Sequence, residues 1–238
     1  MSFVKVFLDI YPMLLEGLAV TLEVSLLALL IAFFLGLISC VMGLSRFKPF
    51  AWISKLYIWI IRGTPFIVQL FIVKYGIPQV IKGIGVLNLP FLPLDFTKFN
   101  ISIFAAAVAT LALNAGAYIS EIFRGGIMAI DVGQTEAARS LGMSKAKTMI
   151  KVVLPQALKI SIPSLCNQFI ISIKDSSLAQ VIGLSELFYQ GKKYVGTTFK
   201  SFETYVIVGL VYLIIITILS AIIRMIERRL QYDQKSQG

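Results

Sequence analysis

Residues 136–155 read EAARSLGMSKAKTMIKVVLP. The stretch carries one acid, Glu136, and four bases, Arg139, Lys145, Lys147 and Lys151, between two long apolar runs. Just before it, Asp131-Val132-Gly133-Gln134 offers a helix N-cap with a Gln three residues on, a capping-box pattern. Thr135 to Leu141 is rich in helix formers, and Gly142 suits a helix C-cap. Ser144 can cap a second helix running to Leu154, where Pro155 breaks or kinks it. Two short helices at an angle are therefore predicted. Their apolar residues, Ala137, Ala138, Leu141, Met143, Met149 and Ile150, exceed what a solvated loop needs, and such a face wants a protein partner. The insert stands outside a bilayer that the flanking runs cross.

Composition agrees. The 238 residues are 58% hydrophobic and 14% charged, with a mean hydropathy of +0.86. A soluble domain carries roughly a quarter charged residues. The class is an all-α integral membrane protein. Cys40 and Cys166 fall inside apolar runs and read as small buried hydrophobes, not as a disulfide or metal site. There is no histidine, which removes most zinc chemistry and the usual general base. The N-terminal MSFVKVFLDIYP lacks the apolar core of a cleaved signal peptide.

Val24 to Leu44, Phe99 to Ser120 and Thr204 to Ile223 are long and free of charge. Each is long enough for one helix across a ~30 Å hydrocarbon core. Two further runs are interrupted: Leu56 to Val73 by Arg62-Gly63-Thr64-Pro65, and Ile160 to Ile182 by Pro163 and Lys174-Asp175. Five spans are predicted, at about 17–44, 54–75, 99–121, 157–182 and 203–225, in one domain with a polar loop at 123–156. Loops 45–56, 122–158 and 224–238 hold twelve Lys and Arg, and loops 1–16, 76–100 and 176–200 hold six. The positive-inside rule puts the first set in the cytoplasm, the N-terminus outside and the C-terminus inside. This asymmetry, not nucleic acid, accounts for the net charge of +10.

Ala28, Ala32, Gly36 and Cys40 recur every four residues, as do Ala112, Gly116 and Ser120. Small residues at this spacing let helix backbones approach closely in lipid. Packing within the chain is the favoured use; contact with a second copy or homologue is the other.

Polar residues in the spans mark a candidate path, since irregular backbone and charge are tolerated only beside protein or water. Asn114, Tyr118 and Glu121 share one helical face, and Ser161, Ser164, Gln168, Ser172 and Asp175 another. With Gln69 they can line one pore, although interhelical hydrogen bonding explains any single one. Arg62 lies inside a span, where an unpaired charge costs at least ~2.5 kcal/mol. It either pairs with Glu121 as a structural or gating ion pair or receives a substrate carboxylate; the pair is favoured. Lys174 and Asp175 either pair with each other or mark an outer gate.

A phosphate-cradling loop needs G-x-x-x-x-G-K-[ST]. The one comparable Gly-Lys, Gly191-Lys192, is followed by Lys193, and position 186 is Glu. The chain therefore does not hydrolyse ATP, and it lacks a nucleophile–base set for an intramembrane enzyme.

Glu136-Ala137-Ala138, Gly142, Val152 and Leu154-Pro155 resemble the signature of ATP-binding-cassette (ABC) importer permeases, with Val152 where Ile is usual. Arg62-Gly63-Thr64-Pro65 with Val68-Gln69-Leu70, Ala117-Tyr118-Ile119-Ser120-Glu121-Ile122 running into Arg124-Gly125-Gly126-Ile127, Gly133-Gln134, and Lys174-Asp175-Ser176-Ser177-Leu178 are similar to the polar amino acid branch. The likeness covers nearly the whole chain in order. It implies a permease subunit in a bacterial cell membrane, not an enzyme, passing a polar amino acid. It implies that the loop's first helix is a coupling helix between spans three and four, with Gln134, Glu136, Ala137, Ala138, Leu141 and Gly142 meeting the ATPase. It also implies partners: ATPase subunits holding ATP and magnesium, a second permease, identical or homologous, and an extracellular substrate-binding protein. Membrane lipid surrounds the assembly, and nucleic acid has no part. The alternative is a stand-alone ion or amino acid channel or carrier, which would want an acidic or histidine relay within the spans.

Overall fold

The computed structural model describes residues 3–89 and 92–235. Among these, four helices are long and apolar enough to cross a membrane: Phe3–Gly43, Ile103–Met128, Lys145–Ile182 and Ser201–Met225. A bent pair, Lys48–Gly63 and Phe66–Gly83, turned through 109°, makes a fifth when it is counted as one span. Because α1 (Phe3–Gly43) and α5 (Ile103–Met128) run side by side, both end on the side where α6 (Val132–Ser140) follows. That side is called the α6 side below.

Apolar burial does not hold helices together in lipid, so close backbone contact must. α5 is the central post, with 67% of its most apolar window buried, against 11% for α10 (Ser201–Lys235). It meets α1 along the predicted small-residue seam. A Cβ on Gly36 would stand 2.5 Å from Ile119 Cγ2, and one on Gly116 would stand 3.1 Å from Leu35 Cβ and 3.4 Å from the Ala32 carbonyl. Packing within the chain is thus what the seam does. Ala32, Cys40, Ala115, Ile119 and Phe123 form the core there, and Val24, Ala28, Ala107 and Leu111 a second core further along.

α1 begins well before the expected residue 17. Val6, Ile10 and Leu14 continue its four-residue stripe and pack on Leu187 and Tyr194 of α9 (Leu187–Thr198) and on Ile207 and Val208 of α10. Asp9, Glu16 and Glu23 interrupt the apolar run here and conceal the helix from a hydropathy reading.

The span expected at 54–75 is not straight. α2 (Lys48–Gly63) stops because Thr64, held extended at φ −122° and ψ 147°, precedes Pro65. α2 packs obliquely, from the α6-side end of α1 at Ser39 to the middle of α5 at Leu113. Ser54 Oγ donates to the Ser39 carbonyl at 2.7 Å, and Tyr57 Oη to the Leu113 carbonyl at 2.6 Å. Beyond the corner run α3 (Phe66–Phe71), a π segment (Ile72–Gly76) and α4 (Ile77–Gly83). Leu70 and Val73 join the second core, and the Lys74 ammonium donates to the Ile101 carbonyl beside the start of α5.

A two-stranded antiparallel hairpin, β1 (Val86–Leu89) with β2 (Leu92–Asp95), follows α4, with Val86 paired to Asp95. Among the described residues it is the one addition to the all-α architecture.

Pro155 does not end a helix, so of the break or kink expected there the break is absent. α7 (Lys145–Thr148), a π segment (Met149–Val153) and α8 (Leu154–Asp175) run on as one helix into a 3₁₀ turn, Ser176–Ile182. The π segment widens the turn that Pro155 would otherwise clash with, and Pro155 takes an early position of α8, where its missing N–H costs least.

Candidate functional site

α6 starts at Val132, directly after the expected cap. The Asp131 carboxylate caps it, accepting from the Gly133 N–H at 2.6 Å. Gln134 does not complete a capping box; its side-chain oxygen accepts from Gln156 Nε2 at 3.4 Å. The helix closes at Gly142, whose φ of +80° is the left-handed region where glycine costs least. Arg139 braces this turn by donating to the Met143 carbonyl at 2.6 Å. Ser144 then caps the next helix as expected, accepting from the Lys147 N–H at 3.3 Å. Gln134, Glu136 and Ala137 are exposed, Ala138 is buried, and Leu141 is 84% exposed. Leu141 thus presents an exposed apolar side chain at the turn between α6 and α7.

Beside it, four residues converge. Arg62 Nη1 lies 3.3 Å from Glu121 Oε2, the pairing favoured from sequence. Arg124 adds two bonds to the same carboxylate, Nε to Oε1 at 2.9 Å and Nη2 to Oε2 at 2.7 Å. The Arg62 guanidinium also sits 5.2 Å from the centre of the Tyr118 ring, a cation–π distance. Two cations share one anion, so the cluster carries net positive charge. It is open: the Arg62, Arg124 and Glu121 side chains are 42%, 45% and 25% exposed. Charges inside a span cannot face lipid, so this face meets water or another chain. The contribution of Arg124 was missed, although its i, i+3 spacing from Glu121 is the signal that reveals it.

The other polar candidates divide. Gln69 Nε2 donates to the Ile61 carbonyl at 2.7 Å and to the Thr64 carbonyl and hydroxyl at 3.0 and 2.9 Å. Its Oε1 accepts from Asn114 Nδ2 at 3.1 Å. These two amides tie the bent corner to α5. On α8, Ser161, Gln168 and Ser172 are buried, while Ser164 is exposed. Ser161 Oγ bonds the Ala157 carbonyl at 2.8 Å. Lys174 and Asp175 form no ion pair with each other; the ion pairs among the described residues all converge on Glu121.

Glu186 went unrecognised from sequence. It is fully buried at the start of α9. Its carboxylate accepts from the N–H groups of Phe188 and Tyr189 at 2.9 and 2.6 Å and from the Tyr212 hydroxyl at 3.0 Å. Burial pushes its pKa up to about 7 against these three bonds, which pull it down. The cap-type position before Leu187-Phe188-Tyr189 was the available signal.

Residues 32–232 match the family described as binding-protein-dependent transport system inner membrane component. The chain is 38% identical to the arginine transport system permease protein ArtQ of Bacillus subtilis, over 92% of this chain and 93% of that one. It is 39% identical to the glutamine transport system permease protein GlnP of Escherichia coli, over 92% and 94%. A solved amino acid ABC transporter with histidines has a chain 36% identical to this one, with a TM-score of 0.85 over 96% and 99% of the two chains. The inward-facing MetNI methionine ABC transporter, 20% identical with a TM-score of 0.72, shares the fold. Nothing in these similarities supports a stand-alone channel or carrier.

Proposed function

The chain belongs to the binding-protein-dependent transport system inner membrane components, and from that premise we propose that it is the permease subunit of an ABC importer for a polar amino acid. ATP and magnesium belong to partner ATPase chains. A second permease and an extracellular substrate-binding protein complete the assembly. The N-terminus faces outward and the C-terminus the cytoplasm, as the Lys and Arg asymmetry favours.

The carrying observation is the α6 hairpin. It is capped at Asp131, closed at Gly142 and continuous through α7 with the fourth span. Exposed Gln134, Glu136, Ala137 and Leu141 form the surface that an ATPase cleft grips. Movement of the hairpin then shifts the fourth span as a rigid body. The partner must favour one conformation over the other, or nothing moves.

The path runs along the exposed side of α5 and α8 that bears Tyr118 and Ser164. Gln69, Asn114, Gln168 and Ser172 shape it from within, by holding the helices. Arg62, Glu121 and Arg124 gate its α6 side, and Lys174 and Asp175 lie at the opposite end of α8.

The test uses the permease reconstituted with its ATPase and binding protein. Glu136→Ala or Gly142→Ala is expected to abolish uptake and substrate-stimulated ATP hydrolysis while insertion and basal hydrolysis persist. Unchanged uptake and stimulation in both variants overturn the coupling role.

A further inference from the structure

We propose that the apolar cleft between the α6-side ends of α1, α5 and the long helix Lys145–Ile182 holds an acyl chain of an anionic phospholipid, whose headgroup Arg46, Lys147 and Lys151 receive. The proposal rests on the membrane placement of the chain and is independent of what the chain carries.

The cleft has a volume of about 380 Å³. It arises because α5 is gripped closely from two sides. α1 meets it at Gly36 and Ile119, and the long helix meets it at Gly126, where a Cβ would stand 2.8 Å from the Ala157 carbonyl. The wedge left between the two flanking helices is the cleft. Val41 and Leu44 of α1, Ile127 of α5, and Ile150, Leu154 and Leu158 of the long helix form its walls, and buried Cys40, Phe123 and Ala157 its floor. No charged side chain lines it. Val41 and Ile150, facing one another across α5, are 62% and 63% exposed, so this chain leaves the wedge open.

Depth follows from α1. The lining runs from Leu37 to Leu44, the last residues of the charge-free run that begins at Val24. At 1.5 Å per residue the cleft reaches about 10 Å along the helix from its end. It therefore opens from the rim of a span into the span itself, where an acyl chain lies and a soluble partner would have to enter hydrocarbon.

Charge selects the lipid. Arg46 follows Leu44 by two residues, and Lys147 and Lys151, one turn apart, stand beside Ile150. All three are exposed, and none is in an ion pair among the described residues. No acidic residue occurs between Glu23 and Asp95 or between Glu136 and Asp175, and Glu121 is already held by Arg62 and Arg124. A headgroup of net negative charge supplies the missing anion, as in other basic pockets between spanning helices. A second copy on the same face is disfavoured, because a two-fold contact sets the two sets of bases against each other.

The complete transporter is placed in nanodiscs containing phosphatidylglycerol or, at the same mole fraction, phosphatidylcholine, each with a photoactivatable diazirine on its acyl chain. Labelled residues are read by mass spectrometry. Leu30 and Phe34 of α1, 60% and 56% exposed, report ordinary lipid contact. Labelling at Val41, Leu44 and Ile150 should favour phosphatidylglycerol more strongly than labelling at Leu30 and Phe34 does. Arg46→Ala, and separately Lys147→Ala/Lys151→Ala, should weaken that excess roughly fivefold per base removed while the cleft remains labelled. A cleft unlabelled by either lipid, with Leu30 and Phe34 labelled, is covered by protein and overturns the proposal. A preference no greater than at Leu30 and Phe34, or one that the basic-residue variants leave unaltered, is an ordinary apolar contact and overturns it as well. Loss of labelling at Leu30 and Phe34 too would overturn the membrane placement, and the proposal with it.

Discussion

Asn114 and Gln69 fasten the corner of the bent span to the central helix. Asn114 Nδ2 donates to Gln69 Oε1 at 3.1 Å, and Gln69 Nε2 in turn serves the Ile61 and Thr64 carbonyls freed by the break at Pro65. The sharp turn is stable because one amide replaces the helix bonds that Pro65 cannot make.

Gln69→Leu should therefore destabilise the chain by about 1–3 kcal/mol, the usual cost of leaving buried polar groups unsatisfied. Asn114→Leu should cost less, since it removes one bond. The double variant should cost less than the two singles added together, because they share a partner. Thermal unfolding of the detergent-solubilised chain tests this; strict additivity would show the two side chains to be independent.

Gly36 has no room for a side chain against Ile119. Gly36→Ala should cost about 1–3 kcal/mol through overpacking, while Gly209→Ala, with nothing within 4 Å of its added Cβ, should be close to neutral. Comparing the melting temperatures of the two variants is sufficient.

Arg62→Ala should lower stability by less than about 1 kcal/mol, since the pair with Glu121 is partly exposed. Uptake by the reconstituted complex should change far more than the melting temperature if Arg62 gates the path. Parallel losses in both measurements would mark the residue as merely structural.

Glu186 gives a pH dependence. Its folded pKa of about 7 lies above its ordinary value of 4.5, so the folded chain holds the proton more tightly than the unfolded one. Its stabilising contribution is complete below the ordinary value and is lost as pH rises through about 7. Melting temperature should fall from about pH 5 to about pH 8, by the equivalent of on the order of 2–3 kcal/mol. Glu186→Gln should flatten that slope, and an unchanged slope would remove Glu186 as its source.

Hydropathy and four-residue spacing were enough to reveal the spans and the α1–α5 seam, because both depend on patterns repeated over many turns. Arg62 with Glu121 was legible for a different reason: a charge in an apolar run must find a partner. The break at Arg62-Gly63-Thr64-Pro65 was legible but its 109° angle was not, since Leu56 to Val73 is equally apolar at any bend. The break allowed at Pro155 does not occur, because a π turn precedes it, which a rule about one residue does not foresee. Gln69 was recognisable as a buried polar residue, but its partners Ile61 and Thr64 appear only once the chain has folded back.

The unbroken run from Lys145 to Ile182 has a mechanical result. At roughly 1.5 Å per residue, its 38 residues form a strut on the order of 55 Å long. With no break at Pro155 or Pro163, a tilt of a few degrees at its α7 end displaces the opposite tip, near Asp175 and Ser176, by several ångströms. The strut thus works as an oar, with its blade among the far-side ends of the other helices.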